Sequence, residues 1–402
     1  MKYIVVLGDG MSDYPVAQLG NLTPLQCANK PNIDFLASNG EIGMVKTIPD
    51  GIAPGSDVAN LSVMGYDPRK YYTGRSPLEA VSMGVELSDT DLAFRCNLVN
   101  LDVKDSYESA TMIDYSSDEI TTAEAADLIA EVNKYLSKDE ISFYPGISYR
   151  HCMVWHNGAG TRNMTPPHDI LEKNIATYLP AGDNSQLFLS LQKKSYEILR
   201  NHPVNQARAA RGLRPANSIW LWGEGKKPAI PKFLDKYAVT ASVVSAVDLI
   251  KGIGLCAGMN SIDIEGATGN INTNFKGKAQ AALEELKKGR DFVYVHVEAP
   301  DECGHRFEID NKVKSIELID SLLVGTLLEG LATYEDYSIM VLPDHPTPLS
   351  LRTHTSDPVP YIIYRKSAET PSGVSGYDEF QAKRTGLFVE EGHTLMDRFL
   401  ER

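Results

Sequence analysis

Tyr3-Ile4-Val5-Val6-Leu7-Gly8-Asp9-Gly10 is the stretch from which the rest of the chain is best read. An unbroken apolar run closed by Gly-Asp-Gly is the pattern of a buried strand with an acid at its carboxyl end. The pattern recurs twice. Phe292-Val293-Tyr294-Val295-His296-Val297 runs toward Asp301, and Tyr337-Ser338-Ile339-Met340-Val341-Leu342-Pro343 runs into Asp344. In open α/β sheets ligands gather where the strands end, so three acid-bearing strand ends point to one site.

The composition is that of a soluble globular protein: 402 residues, 43% hydrophobic and 23% charged. That length allows a large core and two domains. A formal net charge of −14 disfavours non-specific attraction to nucleic acid or to an anionic membrane. A small anionic substrate would then need a local basic pocket or bound cations. Cys27, Cys96, Cys152, Cys256 and Cys303 are scattered and odd in number, which predicts reduced thiols and a cytoplasmic setting. The first apolar run is too short for a signal peptide, and no segment approaches the roughly 20 apolar residues of a membrane span.

Along the chain, helices are expected over 31–38 and 56–64, with Pro31 suited to a first turn. From about residue 84 the character changes to strands at 92–99 and 148–154, interleaved with helices at 121–136 and 186–199. This reads as a small α+β unit. After residue 214 the α/β alternation returns. Short strands are expected at 219–222 and 237–241, and helices at 245–251, 276–288 and 311–332. Strands at 292–297, 337–342 and 360–364 follow, then a last helix from about 394. The economical organisation is a split core, residues 1–83 and 213–402, interrupted by an inserted domain at 84–212.

Asp301-Glu302-Cys303-Gly304-His305 places an acid and an imidazole four apart, on one face if the segment is helical. Asp344, His345 and His354 add an acid and two imidazoles after another strand. Oxygen and imidazole donors without thiolates suit Mn²⁺, Zn²⁺ or a similar divalent ion. Ser56, in Pro54-Gly55-Ser56-Asp57, is the candidate nucleophile. A serine hydroxyl needs a base or a metal near neutrality, and a phosphoserine is favoured at a helix N-terminus. One cation is expected on Asp9, Ser56, Asp344 and His345, and a second on Asp301, His305 and His354. Such a pair clamps the attacking and leaving oxygens of an in-line displacement.

Arginine and lysine read phosphate and carboxylate groups. The candidates are Arg75, Arg150, Arg208, Arg211, Arg214 and Lys278. Nucleotide-binding signatures fail: Trp222-Gly223-Glu224-Gly225-Lys226-Lys227 lacks the first glycine and the Ser/Thr of a phosphate-binding loop.

Gly8–Asp13, Pro54–Leu61, Tyr72–Ala80, Ala93–Val99, Thr165–Asp169, Arg214–Asn217, Ala299–His305 and Leu342–Pro348 together resemble the archaeal-type cofactor-independent phosphoglycerate mutases. The likeness runs nearly end to end. It implies an alkaline phosphatase-like three-layer α/β core with a mainly parallel sheet, plus an inserted α+β domain that caps the substrate. It also implies two divalent ions, most often Mn²⁺, with Mg²⁺, Zn²⁺ or Co²⁺ as alternatives. Ser56 would take the phosphoryl group from 3-phosphoglycerate and return it to the other hydroxyl of the retained glycerate. The chain also resembles a bacterial branch of the same family proposed to phosphorylate homoserine, which is the alternative reading.

Overall fold

The computed structural model describes residues 1–158 and 162–401, which divide into two compact units. The first comprises Met1–Tyr72 and Ala229–Arg402, the second Thr73–Pro228. The division therefore lies at 72/73 and 228/229 rather than at the expected 83/84 and 212/213. The reason is pairing. Strand Ser218–Lys226 lies antiparallel along Leu92–Asp102. Helix Ser76–Ser82 buries Ala80 against Ala93, Cys152 and Val154. Both flanks belong with the insert.

The first unit is built on an eight-stranded sheet. Lys2–Gly8 lies between Phe292–Val297 and Tyr337–Leu342, parallel to both. Ala241–Val244 and Asn260–Ile262 continue the parallel series on one side. On the other side Val359–Arg365 runs antiparallel, followed by Glu41–Val45 and the short edge strand Phe388–Val389. The sheet is thus parallel except for one reversed strand.

Period-two alternation divides the strand residues between two faces. Ile4, Val6, Val293, Val295, Ile339 and Val341 face helices Pro31–Ser38 and Phe275–Lys287 and the long helical stretch 309–331. On the opposite face Gly254 lets helix Asp248–Cys256 approach Val243, where a Cβ would stand 2.6 Å from Val243 Cγ1. Phe233 packs against Phe292 with ring centroids 4.7 Å apart, and Tyr3 meets Phe399 edge to face at 5.6 Å. Helices on both faces make three layers, so the central strands are buried throughout and read as continuous apolar runs.

Two local expectations change. Residues 237–241 are not a strand: Phe233–Tyr237 is a helix ended by Ala238 at φ +54°, and the strand begins at Ala241. The helix over 311–332 forms as Ile309–Leu331 but carries a π-turn at Ile319–Val324.

In the second unit Leu92–Asp102 is the central strand, pairing with Arg150–Trp155, Thr111–Asp114 and Ser218–Lys226. Helices Thr122–Leu136 and Ser185–Leu199 cover the face bearing Phe94, Cys96 and Leu98. Two N–H groups of the Ser218–Lys226 strand are satisfied by that layer: Ile219 donates to Ser195 Oγ at 2.9 Å and Leu221 to Gln192 Oε1 at 3.2 Å. Among the described residues no helix is long and apolar enough to cross a membrane.

Candidate active site

Three strand ends of the first unit converge. Asp9 leaves the first strand with its N–H on the Val297 carbonyl at 2.9 Å. Gly10 then turns at φ +61°, and a Cβ there would stand 2.5 Å from Thr347 Oγ1 and 2.7 Å from Asp301 Cα. Both the left-handed backbone and the close approach require glycine. Asp301 lies in the first turn of helix Ala299–Arg306, with His305 one turn on and its Nε2 3.3 Å from Asp301 Oδ2. Asp344 follows the Tyr337–Leu342 strand, and its Oδ1 accepts the N–H groups of Gly10 at 3.1 Å and His345 at 2.9 Å.

Ser56 opens helix Ser56–Val63 after the extended Gly55. Its Oγ stands 3.1 Å from His345 Nε2. Asn60, one turn along, donates from Nδ2 to the Ser56 carbonyl at 2.8 Å and to Asp344 Oδ2 at 2.9 Å. Tyr294 hydroxyl in turn holds Asn60 Oδ1 at 2.7 Å. The nucleophile candidate is therefore tied to an acid from another strand through its own helix.

The donor atoms fall into two groups, Asp9–Asp344–His345 and Asp301–His305–His354, with the ligand atoms of each group within 4.8 Å of one another. Burial, together with the charges of Asp344, Asp301 and Glu298, holds the Asp9 carboxyl well above its ordinary range. Burial also opposes ionisation of Asp301, but hydrogen bonds from His305 and His354 outweigh it and hold Asp301 well below. His305 is raised to about 9 by its bond to Asp301, whereas burial lowers His345.

This donor set fits divalent cations. Asp9 Oδ1 is buried and has no hydrogen-bond partner among the described residues. His305 Nε2 and His354 Nε2 point at each other across 2.9 Å. Three carboxylates share a buried space whose charge bound divalent cations would offset. Cys303, the remaining donor by position, is pushed up to about 12 by burial and so stays a thiol.

Supporting residues that the sequence reading passed over are Asn60, Tyr294, Thr347, Lys312 and Asp13. His296 lies in the Phe292–Val297 strand, which runs toward Asp301. Its Nε2 meets Asp9 Oδ2 at 2.9 Å and its Nδ1 meets Ser245 Oγ at 3.1 Å. Burial lowers it to about 3, so it faces Asp9 as a neutral ring. The spacing of Ser56 and Asn60 on one helical face was the signal available for Asn60.

The basic candidates are not gathered together. Lys278 is fully buried and gives its ammonium to the His296 carbonyl at 2.9 Å, behind the strand end. Arg211 pairs with Glu124. Arg214 pairs with Asp118 at 2.9 Å and Asp114 at 3.2 Å. Buried Arg208 reaches Glu124 at 2.8 Å and the Ser117 carbonyl at 2.5 Å. Arg208 and Arg214 brace a turn in which Ser117, Asp118 and Glu119 all take positive φ, a strained run that needs such bracing, while Arg211 shares Glu124 with Arg208. Arg75 pairs with Glu79 at 2.9 Å. Arg150 is exposed, over the Tyr149 ring at 5.6 Å.

A largely parallel α/β sheet with two acid–imidazole groups and a serine at its strand ends defines an enzyme of the two-metal phosphotransfer class. The family model described as 2,3-bisphosphoglycerate-independent phosphoglycerate mutase matches residues 37–205. The chain is 51% identical over 402 residues to a probable enzyme of that name from Geobacter sulfurreducens, covering 100% of both chains. It is 50% identical over 398 residues to the Methanosarcina barkeri enzyme, covering 98% of each. A Pyrococcus horikoshii protein of known structure superposes with a TM-score of 0.83 at 30% identity, covering 100% of this chain and 97% of that one. The cofactor-independent phosphoglycerate mutase of Thermoplasma acidophilum gives 0.67 at 27%, covering 100% and 99%. The chain belongs to the 2,3-bisphosphoglycerate-independent phosphoglycerate mutase family.

Proposed function

We infer that this protein is a cytoplasmic mutase interconverting 3-phosphoglycerate and 2-phosphoglycerate, without 2,3-bisphosphoglycerate, through a phosphoserine at Ser56. The observation that carries the reading is the Ser56 hydroxyl 3.1 Å from His345 Nε2, one helical turn from the Asn60–Asp344 bond. Asp9, Asp344 and His345 with Ser56 Oγ would hold one cation, and Asp301, His305 and His354 the other. We assign both as Mn²⁺, as the family resemblance implies; the oxygen and imidazole donors by themselves suit Mn²⁺ and Zn²⁺ alike. When bound, the pair stabilises the serine alkoxide and offsets charge on the phosphoryl oxygens.

In the forward half-reaction Ser56 Oγ loses its proton and bonds to phosphorus as the bond from phosphorus to the 3-oxygen breaks. That oxygen takes up a proton. The glycerate then turns, and its 2-hydroxyl gives up a proton as it attacks the phosphoserine, returning Ser56 to the hydroxyl form. The N-terminal end of helix Ser56–Val63 favours the negative phosphoryl group. Asn60 holds the serine backbone and Asp344 in register throughout. The inserted unit is assigned the exclusion of water that would otherwise hydrolyse the phosphoserine. Arg75 and Arg150 are assigned to the anionic ends of the substrate, whereas Lys278, Arg211 and Arg214 serve structural pairs.

The test is turnover of 3-phosphoglycerate with Mn²⁺ alone. Formation of 2-phosphoglycerate without ATP or bisphosphoglycerate supports the mutase. ATP-dependent formation of O-phosphohomoserine with no mutase turnover would replace that reading, and rapid release of inorganic phosphate would make the protein a phosphatase.

A further inference from the structure

Thr347, three residues beyond Asp344, is fully buried in a slot between two glycines. A Cβ on Gly10 would stand 2.5 Å from Thr347 Oγ1, and one on Gly304 would stand 2.9 Å from Thr347 Cγ2. Its backbone is fixed on both sides: the N–H donates to the Ser12 carbonyl at 3.3 Å, and its own carbonyl accepts from Lys312 Nζ at 2.7 Å. Its hydroxyl donates to Asp301 Oδ1 at 2.5 Å and lies 3.3 Å from His345 Nδ1.

The direction of these bonds follows from what each group can do. A carboxylate only accepts, so the hydroxyl proton goes to Asp301 and the oxygen lone pairs are left for an N–H on His345 Nδ1. A proton on Nδ1 leaves Nε2 with its lone pair free. That atom stands 3.1 Å from Ser56 Oγ and 3.4 Å from Asp344 Oδ2. Asp301 belongs to one acid–imidazole group and His345 to the other. One hydroxyl therefore touches both.

We propose that Thr347 is a positioning residue that orients Asp301 and selects the ring tautomer of His345, so that the two metal groups are set together. This rests on the reading that the groups bind two cations. Outer-sphere partners of metal ligands govern both affinity and orientation. The competing account is that Thr347 only fills space between Gly10 and Gly304. The two accounts make opposite demands on the side chain: the first needs the hydroxyl, the second the methyl.

The experiment compares wild type with Thr347→Val, Thr347→Ser and Thr347→Ala by calorimetric titration of metal-free protein with Mn²⁺, and by turnover of 3-phosphoglycerate. Thr347→Val and Thr347→Ala should bind Mn²⁺ about 10–100-fold more weakly at both groups, with kcat reduced and KM little changed. Thr347→Ser should stay close to wild type. A Val variant like wild type beside a Ser variant like Ala would overturn the proposal in favour of packing. So would weakening confined to one group, or four proteins alike. If the Val variant does not fold, the Ser–Ala comparison decides the matter by the same criterion. Wild type that fails to take up two ions would instead sink the two-cation reading itself.

Discussion

Lys312 and Asp13 meet at 2.7 Å with both side chains shut off from water. Lys312 stands on helix Ile309–Leu318, which follows the Asp301–His305 segment, and Asp13 stands in the loop that begins at Asp9. The Asp13 carboxylate also accepts from the N–H groups of Tyr14 at 2.7 Å and Leu349 at 3.1 Å. The pair thus joins the loop after the first strand, the loop after Asp344 and the helix beyond His305. Lys312→Met removes one charge and strands the other, so it should cost about 3–5 kcal/mol. Lys312→Met with Asp13→Asn should cost less than the two single changes summed, because no lone charge remains. Urea unfolding of the four proteins reads the cycle; strict additivity would show that the pair is not coupled.

Ser56→Ala removes one hydroxyl at a half-buried position and leaves the Asn60 bond to the residue's backbone carbonyl available. Turnover should fall on the order of 10⁴-fold or more, as for loss of other covalent nucleophiles. The unfolding midpoint should barely move. Intact-mass measurement after incubation with substrate should show a phosphoryl adduct on wild type alone. A variant that turns over normally would rule out the covalent route.

What the sequence showed of this site was its three strand ends, because fully buried parallel strands are spelled as apolar runs and the acids interrupt them. Asp9, Asp301 and Asp344 were visible for that reason, and His305 through helical spacing. Thr347, Lys312 and Asp13 were not, because each acts through a partner hundreds of residues or another element away. The Lys312–Asp13 bond spans 299 positions. Phe233–Tyr237 was hidden for a different reason: its aromatic residues suit a strand as well as a helix, and the Ala238 turn carries no glycine to mark it. Arg211 and Arg214 looked like anion readers because the acids that pair with them, Glu124, Asp114 and Asp118, lie some 90 positions earlier, as the Arg211–Glu124 separation of 87 illustrates.

His151 gives a pH dependence located in the second unit. Its ring is buried, Nδ1 accepts from the Gly146 N–H at 3.0 Å, and burial lowers its pKa from 6.5 to about 3. Below about 6.5 the unfolded chain binds a proton that the native imidazole refuses. This group's stabilisation is therefore complete above that pH and is lost as pH falls toward 3. Between pH 7 and pH 5 the loss from this residue alone is about 2 kcal/mol. His151→Asn keeps an acceptor for Gly146 but cannot titrate. Urea midpoints at the two pH values should drop by less in the variant; an equal drop would mean that other groups carry the acid limb.

Asp320 supplies a cap that helix Pro31–Ser38 lacks in its own sequence. Lys30, at the N-cap position, makes no side-chain bond to the helix. Asp320, in the π-turn, accepts from the Ile33 N–H at 2.7 Å and from Asn32 Nδ2 at 2.9 Å. Asp320→Ala would leave a buried N–H without a partner, at a cost of about 1–3 kcal/mol. The change should appear as a lower denaturation midpoint with an unchanged slope. A midpoint equal to that of wild type would mean the cap contributes nothing net.

Asp9 should respond in opposite senses with and without metal. Burial and the neighbouring Asp344 and Asp301 charges make its ionised form unfavourable in the protein alone. Asp9→Asn keeps an acceptor for His296 and removes that repulsion, so the metal-free variant should melt at or above the wild-type temperature. Cations reverse the balance. Wild type at 100 times the dissociation constant should gain roughly 3 kcal/mol for each ion bound, and chelation should abolish both this gain and turnover. The variant should lose most of the gain, because the Asp9–Asp344–His345 group gives up one of its two anionic donors. Thermal melts of both proteins with excess chelator and with excess Mn²⁺ measure all four values. A metal-free variant less stable than wild type, or one stabilised equally by Mn²⁺, would contradict the assignment of Asp9 to a cation.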